Sequence, residues 1–165
     1  QATGFAVGRL ITDENYVLLD NFIEKGHIIG NHTANHYDLN QVSCQKYIDD
    51  ILLNESVIEK YMPEKKYFRY PMLHRGNTEV KRDSIYQLLD ENDYLPAPVT
   101  IDTDEADYNI RFVKAYFSDQ KDDAKKIGEE YVEHIISQSK YFDKLGYDIT
   151  GRQIRHILLL HMNFT

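Results

Sequence analysis

The sequence predicts an α/β fold with parallel strands and helices packed outside them. Short apolar runs alternate along the 165 residues with amphipathic stretches at helical spacing, a pattern typical of parallel strands linked by helices. The run His156–His161 (HILLLH) has an apolar interior, as expected of a strand buried on both faces of a parallel sheet. The four prolines lie beside the ends of predicted elements. Polar clusters that follow the strands are therefore the candidate functional sites.

Composition indicates a single globular domain over residues 1–165. The 42% hydrophobic and 28% charged fractions are ordinary for a folded domain. The 19 Lys and Arg residues against 27 Asp and Glu give a net charge of −8, which argues against a nucleic-acid or anionic-membrane partner. The single cysteine, Cys44, excludes an internal disulfide framework. No stretch approaches the ~20 apolar residues that span a bilayer.

The first predicted elements are a strand, a helix and a second strand. Ala2–Val7 (ATGFAV) is an apolar run that predicts a strand. Asp13–Lys25 carries apolar residues on one side and is followed by Gly26, which predicts a helix that a glycine ends. His27–Gly30 (HIIG) is a short strand that leads into a polar loop.

The middle of the chain continues the alternation. Ser43 is placed to cap a long helix with apolar residues at helical spacing, which ends before Pro63. Tyr67–Arg69 predicts a brief strand, and Glu79–Asn92 predicts a helix.

The last third completes the pattern. Val99–Asp102 (VTID) predicts a strand, and Asp119–Lys144 predicts a highly charged helix. His156–His161 is then the closing strand.

The sharpest polar cluster is Gly30–His36 (GNHTANH), which follows the second predicted strand. His32 and His36 stand at positions i and i+4, so both rings can reach one metal ion if the segment makes a helical turn. Gly30 and Asn31 suit a turn where a strand ends. Two exposed loop histidines can share this spacing by chance, so the pattern alone leaves both interpretations open.

A second cluster, Phe68–Met72 (FRYPM), joins an arginine to a proline turn. Arg69 at a strand end is placed to pair with a carboxylate. Pro71 shapes the turn so that the backbone N–H of Met72 can act as an oxyanion donor. A surface arginine beside an ordinary turn is the alternative.

Two further clusters follow the last two predicted strands. His161 comes directly after an apolar run, which makes its ring a candidate general acid or base; a structural polar residue at a strand end is the alternative. The segment Val99–Asn109 (VTIDTDEADYN) contains four carboxylates. One of them could orient His161, whereas most are expected to be solvated.

In order along the chain, these segments resemble the motifs of the polysaccharide deacetylases (NodB-homology, carbohydrate esterase family 4). EKGHIIGNHTANH is similar to the second motif, the H-(S/T)-x-x-H metal-binding element. FRYPMLHRG is similar to the third motif, R-x-P-Y, with Met72 in place of the tyrosine. ILLLHMN is similar to the fifth motif, a strand that ends in Leu-x-His or Leu-His. The likeness extends from Gln1 to the last residue.

The resemblance implies a deformed (β/α) barrel and a divalent metal, most often zinc, held by one aspartate and two histidines. By position, His32 and His36 would be metal ligands, and Arg69 would orient a catalytic aspartate. Met72 would offer its backbone N–H, and His161 would protonate the leaving amine. Three protein ligands with an open position for water are ordinary for catalytic zinc.

The first family motif, T-F-D-D, has no counterpart in the sequence. It supplies the base and the aspartate ligand, and the likeness begins after it. The pairs Asp49-Asp50 and Asp122-Asp123 lie in predicted helices, where we expect polar faces. We therefore expect the domain to be incomplete at the N-terminus, and also at the C-terminus, and this chain to be inactive by itself.

The fourth motif also departs from the pattern. VTIDTDEADYN is similar to a branch that reads V-T-I-D-x-x-D-W, but the chain has no tryptophan. Glu105 and Ala106 stand at the Asp-Trp positions, next to Asp104. Asp104 and Glu105 are therefore the candidate carboxylate partners of His161.

These features predict a metal-dependent hydrolase that removes acetyl groups from an acetylated glycan. An N-acetyl sugar polymer is the expected substrate, and Zn²⁺ is the expected metal. An inactive, carbohydrate-binding homologue and a small-molecule amide or imide hydrolase that uses the same site are the alternatives. The resemblance suggests a periplasmic or secreted protein.

Overall fold

A computed structural model describes residues 1–163 of the chain. The backbone divides into two compact units, Gln1–Pro98 and a second unit that begins at Val99. The single domain over residues 1–165 stays a prediction.

A parallel sheet of four strands forms the centre of the first unit. The strands are β1 (Thr3–Ala6), β2 (Ile28–Asn31), β3 (Lys66–Phe68) and β4 (Tyr94–Pro96). The connecting helices are α1 (Tyr16–Glu24), α2 (Cys44–Ile58) and α3 (Glu79–Glu91). Each strand pairs in parallel with the next one along the chain. This consecutive order is that of a segment of a (β/α) barrel, and it confirms the predicted α/β class.

Helices α2 and α3 of the first unit begin at hydroxyl caps. The Ser43 side chain accepts a hydrogen bond from the Lys46 backbone N–H, as the sequence predicts. Thr78 does the same for Lys81 at the start of α3. Each cap satisfies an N–H that the helix itself leaves unpaired.

The core of the first unit lies between the sheet and helices α2 and α3. Its central side chains are fully or almost fully buried: Leu39, Tyr47, Ile51, Phe68, Tyr70, Ile85, Leu89 and Tyr94. Ile29, Ile58 and Tyr61 form a second cluster, against which α1 packs. Both clusters anchor α2, which therefore supports the sheet from its N-terminal to its C-terminal turn.

The second unit consists mainly of two helices, α4 (Glu105–Phe117) and α5 (Lys121–Thr150), which pack against each other. Ala115, Ala124 and Tyr131 are buried there. Across residues 1–163, no helix is both long enough and apolar enough to cross a membrane.

The structure corrects several predicted elements. The predicted strands Val99–Asp102 and His156–His161 are reduced to one parallel bridge, Ile101 with Leu158. The second is not buried on both faces, since Leu158 and Leu160 are 37% and 53% exposed. Helix α4 begins within the acidic segment that the sequence pattern assigns to a loop. Glu105 and Asp107 lie in its first turn, where negative charge is favourable.

Candidate functional site

The two predicted metal ligands lie together just after β2. The ring centroids of His32 and His36 are 4.8 Å apart, and the ring planes are nearly perpendicular at 79°. The segment does not make the helical turn that the i, i+4 spacing suggests. Thr33 and His36 are instead left-handed, with φ of 61° and 58°, and the Thr33 hydroxyl accepts a hydrogen bond from the His36 N–H at 3.0 Å. A looped backbone thus pairs the two rings.

Nδ1 of His32 lies 2.7 Å from the backbone carbonyl oxygen of Arg69. A carbonyl only accepts, so Nδ1 carries a proton, and in the neutral ring the lone pair then lies on Nε2. Metal-bound histidines in proteins are oriented by this kind of contact, in which one ring nitrogen donates to a carbonyl and the other binds the ion. The donor chemistry of His32 therefore suits a divalent cation.

Asn31, at the end of β2, is fully buried beneath this loop. Its Nδ2 donates to the Ile51 carbonyl at 3.0 Å and to the Tyr94 hydroxyl at 2.8 Å. Its Oδ1 accepts from the Thr33 N–H at 2.9 Å and from Asn54 Nδ2 at 2.8 Å. The whole amide is used, so it fixes the start of the loop to α2 and β4.

A second polar contact from α2 holds the middle of the loop. Asp50 is 3% exposed, and its carboxylate accepts from the Asn35 N–H at 3.0 Å and from Asn35 Nδ2 at 2.6 Å. Its backbone carbonyl accepts from the Ala34 N–H at 3.1 Å. The expectation of a polar, outward position for Asp50 is wrong.

The helical spacing of α2 contains a signal that predicts this inward position. Tyr47, Ile51 and Ile58 define the buried stripe, and Asp50 and Asn54 lie within it. Polar residues on an apolar helical face are buried and need partners. Asp49, in contrast, is exposed.

Arg69 is 5% exposed. Its Nε donates to the Ala97 carbonyl at 2.8 Å, and its guanidinium carbon lies 4.4 Å from the centre of the Phe5 ring. Phe5 also approaches the His32 ring, with 6.3 Å between centroids. Burial lowers the pKa of Arg69, but guanidinium keeps its proton in proteins. Within residues 1–163 no acid forms an ion pair with it, so its pairing with a carboxylate stays a prediction.

The turn after Arg69 has an unusual backbone. Met72 is left-handed, with φ 55° and ψ 12°, and Leu73 follows with φ 57°. The Met72 side chain is 59% exposed. Such conformations are uncommon outside glycine and concentrate at functional sites. The role of the Met72 N–H as an oxyanion donor stays a prediction.

A polar clip joins this turn to the loop that follows His36. His74 Nδ1 lies 2.9 Å from Asp38 Oδ1, and Lys81 Nζ donates to the carbonyls of Leu39 and Asn40. The contact between His74 and Asp38 connects two loops that follow neighbouring strands, and the Lys81 contacts attach the first of these loops to α3.

In the second unit, the structure selects one of the two predicted partners of His161. The Glu105 side chain is 8% exposed, and its carboxylate accepts from the His161 N–H at 3.0 and 2.8 Å. Glu105 Oε2 also lies 2.6 Å from His161 Nδ1. The Asp104 side chain is 87% exposed and approaches His134 at 3.9 Å. Glu105 is therefore the carboxylate that orients His161.

Tyr131 on α5 lies close to the Glu105 carboxylate. Its hydroxyl lies 3.2 Å from the Thr103 hydroxyl. Burial raises the pKa of Tyr131, and the negative charge of Glu105 contributes in the same direction. The tyrosine therefore stays protonated beside Glu105 at neutral pH.

The described residues supply only part of the predicted ligand set. Residues 1–163 contain no group of three or more His, Cys, Asp or Glu side chains that could hold a metal ion. His32 and His36 supply two imidazoles, and a catalytic zinc site has three protein ligands.

The fold and the paired histidines define an α/β protein with a candidate metal-binding loop. A family model described as polysaccharide deacetylase matches residues 1–93, and the chain belongs to this family. It is 37% identical over 71 residues to a peptidoglycan-N-acetylglucosamine deacetylase from Bacillus cereus. That match covers 43% of this chain and 33% of the relative, so the chain spans about one third of the length of this curated relative.

Solved structures support the same fold. A chitin deacetylase from Colletotrichum lindemuthianum has a TM-score of 0.54 at 23% identity, over 66% of this chain and 48% of that one. A peptidoglycan deacetylase from Bacillus subtilis has a TM-score of 0.53 at 22% identity, over 82% and 55%. A pseudoenzyme of carbohydrate esterase family 4 from Bacillus anthracis has a TM-score of 0.53 at 22% identity, over 64% and 35%. The fold is thus shared by proteins named as deacetylases and by a pseudoenzyme.

Proposed function

We propose that this chain carries the metal-binding histidines and the acid of a metal-dependent hydrolase that removes acetyl groups from an N-acetylated glycan. The observation that carries the proposal is the 2.7 Å contact between His32 Nδ1 and the Arg69 carbonyl, because it engages Nδ1 with the backbone and makes Nε2 the ring nitrogen that would bind a metal. The similarity to a peptidoglycan-N-acetylglucosamine deacetylase and a chitin deacetylase supports an N-acetyl sugar polymer as substrate.

His32 and His36 would hold a divalent cation, with Zn²⁺ as the metal that suits imidazole ligands. When bound, this cation supplies Lewis-acid polarisation of the acetyl carbonyl. Arg69 would position a carboxylate that removes a proton from the attacking water. The Met72 N–H would donate to the carbonyl oxygen as negative charge develops on it.

His161 would act as the general acid. The C–N bond of the acetamide breaks as the proton on His161 Nε2 passes to the leaving nitrogen, which gives a free amine and acetate. Glu105 holds the opposite ring nitrogen at 2.6 Å. It therefore fixes the ring orientation.

A second candidate function is carbohydrate binding without catalysis. It is favoured by two departures from the family pattern, Met72 in place of tyrosine and Glu105-Ala106 in place of Asp-Trp. The pseudoenzyme with a similar fold supports it as well.

Zinc titration tests the metal site. Two histidines form an incomplete ligand set, so we expect the 165-residue chain to bind Zn²⁺ weakly and to release no acetate. Calorimetry or NMR should detect that binding, and His32→Ala and His36→Ala should abolish it. His27→Ala and His74→Ala are the matched controls and should leave it unchanged. Equal zinc binding by all four variants would contradict the proposal, and acetate release by this chain would contradict its inactivity.

The substrate class needs a separate measurement. We expect chitin oligomers to perturb NMR signals of residues around His32 and Arg69, and glucosamine oligomers to perturb them much less. We also propose a periplasmic or secreted location, because the related proteins are named for peptidoglycan and chitin. Fractionation of cells that express the native gene would test this location.

A further inference from the structure

We propose that Asp50 is a positioning residue for the metal centre, which holds the loop of His36 in its binding conformation and places a buried negative charge against Asn35, the residue before His36. The inference rests on the proposed metal-binding function and adds a residue to it. Asp50 lies on α2, outside every motif that the sequence resemblance identifies.

The geometry of the loop supports this role. His36 has a left-handed backbone, with φ 58°, a conformation that residues other than glycine adopt uncommonly. The residue before it, Asn35, is bound at both its N–H and its side-chain amide by the Asp50 carboxylate. The Asp50 carbonyl binds the Ala34 N–H as well. Three hydrogen bonds from one residue therefore hold the loop on the N-terminal side of His36.

The charge of Asp50 supports the same role. Asp50 is 3% exposed, and the groups that donate to its carboxylate are neutral amides. No Lys or Arg within residues 1–163 forms an ion pair with it. A buried carboxylate that Lys or Arg does not neutralise is costly. A dication bound by His32 and His36 would supply a compensating positive charge, and weak screening inside the protein would make the attraction effective.

The distribution of polar residues on α2 separates Asp50 from its neighbour Asn54. The two are one turn apart and both fully or nearly buried. Asn54 binds Asn31 and the Ala6 carbonyl, so it supports the start of the loop, whereas Asp50 supports its middle, just before His36. An amide suffices at the first position. The charged group stands at the second, where it binds Asn35.

The experiment is a zinc titration of the 165-residue chain, monitored through the ring ¹H–¹⁵N NMR signals of its histidines. Asp50→Asn keeps the side-chain shape but removes the charge and one acceptor. Asp49→Asn makes the same change one residue earlier, at an exposed carboxylate bound to Gln45. We expect Asp50→Asn to weaken zinc binding by about tenfold or more, as loss of such supporting groups does in other metal sites, and Asp49→Asn to leave it unchanged.

Two further variants distinguish a role of Asp50 in metal binding from a purely structural role. Ile58→Val removes buried volume from the same helix and should lower the melting temperature without changing the zinc affinity of the folded protein. Asn35→Ala removes the 2.6 Å contact and should weaken zinc binding even if Asp50→Asn fails to fold.

The outcomes distinguish the inference from the proposed function. Unchanged zinc affinity in folded Asp50→Asn, or in Asn35→Ala if only that variant folds, overturns the role of Asp50 while wild-type binding upholds the metal site. Absence of zinc binding by the wild-type chain overturns the metal site itself and the inference with it.

Discussion

The His32 ring donates through Nδ1 to the backbone carbonyl of Arg69, at 2.7 Å. This contact joins the ends of two neighbouring parallel strands, because His32 follows β2 and Arg69 follows β3. The adjacent backbone bond from the Arg69 N–H to the Asn31 carbonyl, at 3.0 Å, holds the two strand ends in register. The orientation of the histidine is therefore set by the sheet itself.

The first prediction is the tautomer of His32. We expect its neutral ring to carry the proton on Nδ1 almost exclusively, because the Arg69 carbonyl accepts only from an N–H. Long-range ¹H–¹⁵N correlation spectra above neutral pH measure this directly, with His27 as an internal comparison. In His27, Nδ1 accepts a hydrogen bond from the Ala2 N–H, so the proton should lie on Nε2. An Nε2–H tautomer at His32 would contradict the assignment.

The second prediction separates Glu105 from Asp104. Glu105→Gln removes the negative charge and replaces one of the two accepting oxygens with an NH2 group that cannot accept from His161. We therefore expect the His161 backbone amide to exchange with solvent about tenfold faster or more. That factor matches the loss of a hydrogen bond to a charged group, worth about 1.5–3 kcal/mol. Asp104→Asn changes an exposed carboxylate and should leave the exchange rate unaltered. Equal effects of the two variants would remove Glu105 as the partner of His161.

Much of the first unit can be predicted from the sequence, because local signals there agree with the tertiary structure. The strand of Ala2–Val7 and the cap at Ser43 both appear where the pattern indicates. The spacing of His32 and His36 predicts their pairing, but the backbone that achieves it is left-handed rather than helical. Spacing reports which residues are near one another and not which dihedral angles bring them there.

Strand β4, helix α4 and the inward position of Asp50 are not predicted from the sequence, each for a physical reason. Strand β4 (Tyr94–Pro96) has three residues and ends in a proline, which gives too short a run for periodicity to register. Helix α4 begins with acids that also suit a loop. Asp50 follows Asp49 on α2, and only the phase of the neighbouring apolar residues decides which carboxylate points inward.

The third prediction concerns the pH dependence of stability. Burial acts to raise the pKa of Asp38, but hydrogen bonds from His74 and the Asn40 N–H, with the positive charges of His74 and Lys81, outweigh it and lower the pKa below its ordinary value of 3.8. A carboxyl whose pKa is lowered on folding stabilises the folded state above that value, and this contribution is lost as pH falls through the folded pKa.

Urea unfolding between pH 2.5 and 6, a range chosen as roughly the span of carboxyl titration, measures this contribution. We expect Asp38→Asn to flatten the loss of stability in acid, and His74→Asn to flatten it partly, since Asn40 and Lys81 remain. If both variants lose stability in acid as steeply as the wild type, the contact between Asp38 and His74 does not stabilise the fold.

The fourth prediction tests the backbone of the turn that follows Arg69. Leu73 is left-handed, with φ 57°, and 40% exposed, whereas Leu95 in β4 is 37% exposed with an extended backbone. The two leucines thus lose similar burial on replacement by glycine. Glycine relieves about 1–2 kcal/mol of left-handed strain at the first position, but it adds chain entropy cost at the second. We therefore expect Leu73→Gly to be at least about 1 kcal/mol less destabilising than Leu95→Gly in chemical unfolding. Equal losses of unfolding free energy in the two variants would mean that the turn stores no strain. The left-handed backbone at this turn would then give no support to a role for the Met72 N–H.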